Sequence, residues 1–342
     1  MLSFKSVLIV ITSFLICSCD DRFRPLEHLV SYHEALARSK LIQLEELETD
    51  SHLSLLRLPD LRDRTMPLSK FDIGLLEFLS LQRCDVGLVA GERNSILGRV
   101  MPSSQRFLYE LKIIKAIEQC TIENESLMTK LQGVVRTKRA ELPKAFANAM
   151  WSGEEAAGFF SLSNGMISMS PERSQYQALV STFSELVIIG ENLQTLPNLS
   201  NKVFEAYLKV MLDSEYGGRL LVTLQVLATR LEYATNAIEA VDVNAANCQA
   251  PIAYLKQQFT KYYIKIIQPY MARVNRVAYQ VLPNLKELGN VASEEPEALK
   301  RFFSQFDENT NTVWGRYKQA SIRHAQAWSH LFEQCGISLK TN

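Results

Sequence analysis

Along most of this chain the hydrophobic positions recur at steps of three and four, the period of helices that bury one face. Leu29, Val30, His33, Leu36, Ala37 and Leu41 set that rhythm in residues 26–47, and Leu127, Leu131, Val134 and Val135 repeat it in 124–149. Leu179, Phe183, Leu186, Val187 and Ile189 predict a helix over 172–193, with a shorter one over 202–212. A longer stripe runs from Leu220 through Leu224, Leu227, Leu231 and Ala234 to Ile238, set off from its predecessor by a break at Gly217-Gly218. The pattern is lost over 48–70, where Pro59 and Pro67 stand among charges and predict an extended surface segment. One stretch differs in kind. Phe160, Leu162, Ile167 and Met169 alternate with serines around Asn164-Gly165, a dipeptide suited to a type I′ turn, and predict a small β-hairpin over 159–170.

Residues 71–120 carry the densest signals. An apolar run (Phe71, Ile73, Leu75, Leu76, Phe78, Leu79, Leu81) predicts a helix ending at Leu97, with Gly98 as its left-handed C′ residue. Pro102 stops any continuation, and Ser103 or Ser104 caps a returning helix. Cys84 then lies roughly 20 Å before the turn and Cys120 about 25 Å after it, at the helical rise. The two sulfurs come level, so Cys84 is expected to pair with Cys120, and Gly87 and Gly91 fall on one face where a partner helix could approach closely. A second hairpin is expected from 251–288, with Pro251 at N1 and a kink at Pro269, returning through 294–335. Glu294 and Glu295 favour the start of that last arm, Gly336 ends it, and the polar stretch 307–312 could interrupt it. Its feet bring Cys248 to Cys335. The fold class is all-α: an elongated bundle of long antiparallel helical hairpins, with an N-terminal half over 26–158 and a C-terminal half over 171–342.

Composition narrows the function classes. The 342 residues are 47% hydrophobic and 22% charged, with 37 basic and 37 acidic side chains. That is ordinary globular usage, and the neutral balance argues against a nucleic-acid partner. The N-terminus is more specific. Lys5 precedes an apolar core over 7–16, too short to span a bilayer but right for a secretory signal over 1–18. The order Ile16-Cys17-Ser18-Cys19 resembles the bacterial lipobox, which places a small residue before a lipidated cysteine. Cys19 meets that requirement and Cys17 does not. The mature chain is therefore expected to start at Cys19, carrying a lipid anchor, with a short tether over 19–25. Asp20 directly after the anchor resembles an inner-membrane retention signal. It places the protein on the periplasmic face of the inner membrane, with the outer membrane as the alternative. Cleavage leaves 36 basic against 37 acidic residues and four further cysteines, an even number suited to an oxidising compartment.

The run Glu92-Arg93-Asn94-Ser95, Leu97-Gly98-Arg99-Val100-Met101-Pro102 and Ser104-Gln105-Arg106, followed by Leu108-Tyr109-Glu110, resembles the core of a proteobacterial lipoprotein family known as domain of unknown function 3080. The likeness extends through Lys138-Arg139-Ala140-Glu141-Leu142-Pro143 and Gln268-Pro269-Tyr270 to Trp328 and Cys335-Gly336. The resemblance implies an envelope lipoprotein and brings no activity, substrate or catalytic residue with it.

Candidate chemistry gathers at the tip of the 71–120 hairpin, in Glu92, Arg93, Asn94, Arg99, Gln105, Arg106 and Tyr109. Glu92 falls on the stripe of Val89 and Ile96, where a half-buried carboxylate would have a raised pKa and could act as a general acid. The plainer expectation is that Glu92 pairs with Arg106 or accepts from Tyr109 in a satisfied polar network. The five histidines (His28, His33, His52, His324, His330) lack the helical spacing of metal ligands and read as solvated or capping residues. No nucleophile elbow, phosphate-binding loop or dinucleotide fingerprint is present, and no cofactor is expected. Tyr254, Phe259, Tyr262, Tyr263 and Tyr270 read as core rather than as a ligand groove. The sequence thus points to a lipid-anchored periplasmic interaction or scaffold protein meeting another envelope component. The alternatives are an enzyme acting on an envelope polymer through Glu92, and a binder of a small ligand or lipid.

Overall fold

The computed structural model describes residues 21–39, 41–44, 55–71, 74–81, 84–291, 296–309 and 311–337. The signal segment, Cys19, Asp20 and the Glu294-Glu295 pair lie outside them. In chain order the helices are α1 Arg24–Ala37, α2 Leu61–Arg64, α3 Leu75–Ser80, α4 Asp85–Asn94, α5 Ile96–Arg99, α6 Ser103–Glu118, α7 Glu125–Trp151 and α8 Glu154–Phe159. There follow α9 Arg173–Glu191, α10 Asn201–Ser214, α11 Tyr216–Glu239, α12 Ala250–Gln258, α13 Gln268–Val291, α14 Glu297–Ser304 and α15 Val313–Gln334. No strand occurs among the described residues, so the fold is all-α.

Helix starts follow local chemistry. Asn124 accepts from the Leu127 N–H at 3.1 Å, Ser200 from Val203 at 3.3 Å and Thr312 from Gly315 at 3.2 Å, each satisfying a donor that the first turn leaves unpaired. The last helix ends on Gly336 at φ 65°, with Ile337 N–H bonded to Phe332 O and Gly336 N–H to Glu333 O, the paired bonds of a Schellman cap.

The main core runs from Leu29 and Tyr32 of α1 to Trp328 and Phe332 of α15 and draws on both ends of the chain. A second, smaller core lies under the 71–120 hairpin, where Val86, Val89 and Ala90 of α4 meet Tyr109, Ile113 and Ile117 of α6 and Leu127 and Leu131 of α7. Helix α6 serves both: Phe107, Leu108, Leu111 and Ile114 face the main core, and the alternate residues face the smaller one.

Several expectations are corrected. The hairpin's first arm is not one helix. It breaks into α3, α4 and α5, Cys84 is the N-cap of α4, and Gly98 lies inside α5 rather than closing a helix. The sulfurs of Cys84 and Cys120 are nevertheless bonded, with Cα atoms 5.6 Å apart, and so are those of Cys248 and Cys335, at 5.1 Å. The expected helix over 26–47 stops at Ala37. The break expected at Gly217-Gly218 falls instead at Glu215, left-handed at φ 56°, while both glycines sit in the first turn of α11. A Cβ on Gly218 would lie 2.0 Å from the Ser161 carbonyl, so close packing rather than a turn is what the glycine serves.

The last hairpin is rearranged as well. Helix α15 packs mainly along α11, and α13 along α9, so the two predicted arms are not each other's chief partners. The arm before Pro269 does not simply kink. Residues Phe259–Ile267 form a π-helical stretch, in which Gln268 N–H reaches back five residues to Tyr263 O. A widened turn here accommodates a proline that lacks an N–H and whose ring would crowd the carbonyl four residues earlier. Phe259, Tyr263 and Tyr270 are buried from this stretch, as core residues.

The β-hairpin at Asn164-Gly165 is also overturned. Leu162–Asn164 form one 3-10 turn, and Gly165 adopts φ 77°, ψ −155°, which no I′ turn uses. The backbone that follows finds partners other than a strand. Ile167 N–H donates to Thr223 Oγ1 at 2.8 Å, Tyr270 Oη donates to Ile167 O at 2.7 Å, and Arg273 Nε donates to Met169 O at 2.6 Å. The in-and-out alternation does not hold, since the adjacent Met166 and Ile167 are both buried, and the hydrogen-bonding partners of this backbone are not local.

Candidate functional site

The seven residues expected at the hairpin tip divide into two sets. Glu92, Asn94, Arg99 and Gln105 are exposed. The break at Ser95 turns α5 away from α4, so the stripe through Val89 and Ile96 does not hold: Val89 is buried, while Ile96 is 85% exposed. Glu92 is therefore not half-buried as expected, and neither an ion pair with Arg106 nor a hydrogen bond from Tyr109 joins it among the described residues. Arg93, Arg106 and Tyr109 turn inward, and Arg93 donates to the Gly98 carbonyl.

What Arg106 and Tyr109 meet is Glu110, only 3% exposed, and Lys138, 1% exposed. Lys138 Nζ donates to Glu110 Oε2 at 2.6 Å. Arg106 Nε lies 2.6 Å from Glu110 Oε1, close enough for a strong ion pair but poorly aligned for a hydrogen bond. Both cations also lie against the Tyr109 ring, at 5.2 Å for Arg106 and 5.9 Å for Lys138. Burial, and next the charge of Glu110, push the Tyr109 hydroxyl up to about 12. It is a poor acid at neutral pH.

The same cluster fastens the chain segment that precedes the hairpin. Ser69 O accepts from Arg106 at 3.2 Å and from Lys138 at 3.5 Å, while Ser69 N–H and Oγ donate to Glu141 Oε2 at 2.9 and 2.7 Å. About two turns further along α7, Asn148 exchanges two 2.8 Å bonds with the backbone of Met66. The extended surface segment expected over 48–70 is thus strapped to α7 at Met66 and Ser69. Both Glu110 oxygens are engaged by cations, so the cluster offers no free base and no proton to a substrate. Its work is to join α6, α7 and the strap.

Sequence reasoning passed over Glu110 and Lys138, although both left signals. Arg106 and Glu110 stand four apart, the spacing of a helical ion pair. Lys138 falls on the stripe Leu131, Val135, Leu142, where an apolar residue would be expected.

A second constellation surrounds His324, fully buried and not solvated as expected. Thr235 Oγ1 gives its proton to Leu231 O at 2.6 Å and so accepts from His324 Nδ1–H at 2.9 Å. His324 Nε2 accepts from Tyr32 Oη at 3.1 Å, and Trp328 Nε1–H donates to Tyr32 Oη at 2.8 Å. Burial, and next the nearby His33, lower the imidazole to about 3. His33 is likewise buried, its Nε2 donating to Arg230 O at 3.0 Å, and burial lowers it to about 4. Among the described residues no three His, Cys, Asp or Glu side chains gather as metal ligands would.

The first described residues are hydrogen-bonded to the 166–169 segment. Met166 N–H donates to Arg22 O at 3.0 Å, and Met169 N–H donates to Asp21 Oδ2 at 3.2 Å. A Cβ on Gly165 would sit 2.8 Å from Arg22 Cβ, so this glycine, with its positive φ, lets the N-terminus approach. The tether expected over 19–25 is correspondingly shorter: Asp21 and Arg22 are docked, and α1 begins at Arg24. No described helix is long and apolar enough to cross a membrane.

Comparison with curated proteins finds no match, and no solved structure matches the chain. Residues 29–339 match the family described as a protein of unknown function, DUF3080, which takes in the ion cluster, the histidine network and both disulfides alike. The chain belongs to that family.

Proposed function

We propose that this chain is a lipid-anchored periplasmic protein of the cell envelope that presents its folded body to another envelope component without catalysing a reaction. The observation that carries the reading is the grip on Asp21 and Arg22 by the 166–169 segment. Only Asp20 separates Cys19, the expected lipidation site, from the docked residues. Two chain steps reach at most about 7 Å. A lipid on Cys19 would hold this end of the body against the bilayer, with no slack to swing free. Exposed Phe23 and Arg24 stand beside that point, an apolar ring and a cation suited to the headgroup layer.

A scaffold reading also suits the rest of the molecule. The buried charges of Glu110, Arg106 and Lys138 are spent on one another, and the two disulfides brace its helices. In-cell crosslinking of the full-length protein, followed by membrane purification and mass spectrometry, tests the reading. The expected result is an acylated Cys19 and one reproducible protein partner. Recovery of an unmodified N-terminus sinks the anchor, and recovery of the protein alone sinks the scaffold role.

A further inference from the structure

Among the described residues one buried cation has no partner. Arg64, at the end of α2, is 8% exposed, yet its Nε has no hydrogen-bond acceptor and no carboxylate lies within ion-pairing distance. This contrasts with Arg106 and Lys138, which share a carboxylate. Guanidinium keeps its charge under any physiological condition, and a buried charge without a counter-ion is costly. Burial lowers Arg64 from the usual arginine range, with Asp60 offsetting this only in part.

Arg64 lines a cavity of about 470 Å³ between the strap and the turn after α8. Arg57 stands at the same cavity, and so do the hydroxyls of Ser161 and Ser163, hydrogen-bonded to each other at 2.7 Å. The remaining wall is apolar, from Leu61, Phe160 and Leu162. Phe160 belongs to the cluster of Trp151, Phe302, Phe303 and Phe306, so this wall is continuous with the rigid core. The volume is that of a site for a small organic molecule. Among the described residues the ionisable groups at the cavity are Arg57, Arg64 and Asp60, which sum to one positive charge.

We infer that this cavity binds a small amphiphilic monoanion, its carboxylate or phosphodiester group on Arg64 and Arg57 and its apolar part against Phe160 and Leu162. The charge count matches a monoanion and disfavours a doubly charged phosphate, which Asp60 would repel. Arg64 supplies a planar fork of donors, and the paired serine hydroxyls supply further ones. The inference rests on the residues that line this cavity and not on the lipid anchor, and stands or falls independently of it.

The test uses purified mature protein and three probes: octanoate, dibutyl phosphate and inorganic phosphate. Octanoate and dibutyl phosphate are expected to raise the melting temperature by several degrees once well above Kd, since a ligand that binds only the folded state stabilises it. Inorganic phosphate is expected to do much less. Arg64→Gln should abolish the ligand-induced rise while the unliganded melting temperature holds or increases, because an unpaired buried charge has been removed. A purely structural arginine would behave oppositely, melting lower and leaving any ligand response intact. Arg57→Gln, at an exposed position, should leave the unliganded melting temperature nearly unchanged and weaken octanoate at least several-fold. No rise with either amphiphile, or an equal rise in Arg64→Gln, overturns the site. A response to inorganic phosphate as large as that to octanoate overturns the apolar half of the assignment.

Discussion

The network around Glu110 and the network around His324 both place polar side chains where almost no water reaches, but the first is ionic and the second neutral. Glu110 meets two cations at 2.6 Å each, so its charge has partners to replace water. His324 meets a threonine, a tyrosine and a tryptophan, none of them an anion, and only its neutral form fits that set of donors and acceptors. The lesson concerns what each tolerates. An ionic network fails when one member is deleted, whereas a neutral one fails when a proton is added.

Acid should produce the larger effect. His33 and His324 have folded pKa values lowered to about 4 and about 3, below the ordinary histidine value. Between those values and about 6.5 the unfolded chain takes up protons that the folded chain refuses. The stability they confer is complete above pH 6.5 and is lost as pH falls through the window toward the folded values. Each histidine contributes a loss of about 1.4 kcal/mol per pH unit, or about 5 kcal/mol for the pair at pH 4.5. Urea titrations at pH 7.5 and pH 4.5 measure this, and His324→Gln should flatten close to half of the slope. An unchanged slope in that variant would remove His324 from the account.

Deleting one charge comes next. Glu110→Ala leaves Arg106 and Lys138 facing each other in the interior and should cost about 3–5 kcal/mol in the urea midpoint analysis. Glu110→Leu combined with Lys138→Met should recover most of that loss. If the double variant is no better than the single one, pairing is not what Glu110 supplies.

The disulfides sharpen the comparison between the two regions that hold these networks. Cys84–Cys120 closes 36 residues around the smaller core, and Cys248–Cys335 closes 87 residues around the histidine side. Replacing either pair by alanines should cost about 2–4 kcal/mol, slightly more for the longer loop. Equilibrium unfolding of each double variant checks the order.

The smallest effect is expected at Glu92, exposed and outside both networks. Glu92→Gln should change stability by less than about 0.5 kcal/mol. A loss of several kcal/mol would show that the hairpin tip packs differently in solution.

Much of the architecture was legible because it depends on local periodicity. The stripe from Leu220 to Ile238 announced α11, Asn124 announced the start of α7, and the Gly336 cap was readable from one residue and its neighbours. The Cys84–Cys120 pairing followed from chain distances, even though the helix carrying Cys84 was drawn too long; Cys248–Cys335 was the pair left over, and it forms although the two arms expected to carry it do not pack mainly on each other. At the site, Arg106 and Tyr109 were legible but their partners were not. Lys138 lies 28 residues from Glu110, and nothing local tells a buried lysine from an apolar residue misplaced on a stripe.

What the sequence determined by itself is what neighbouring residues decide: helical period, caps, and the all-α class. Tertiary structure alone decided the partners of groups far apart in the chain. It gave the 166–169 backbone to Asp21, Arg22 and Thr223 instead of to a second strand, carried α15 to α11, and buried His324 beside Tyr32, 292 residues away. A buried polar group must find a partner wherever the fold offers one, and that choice is made in space after the helices have formed.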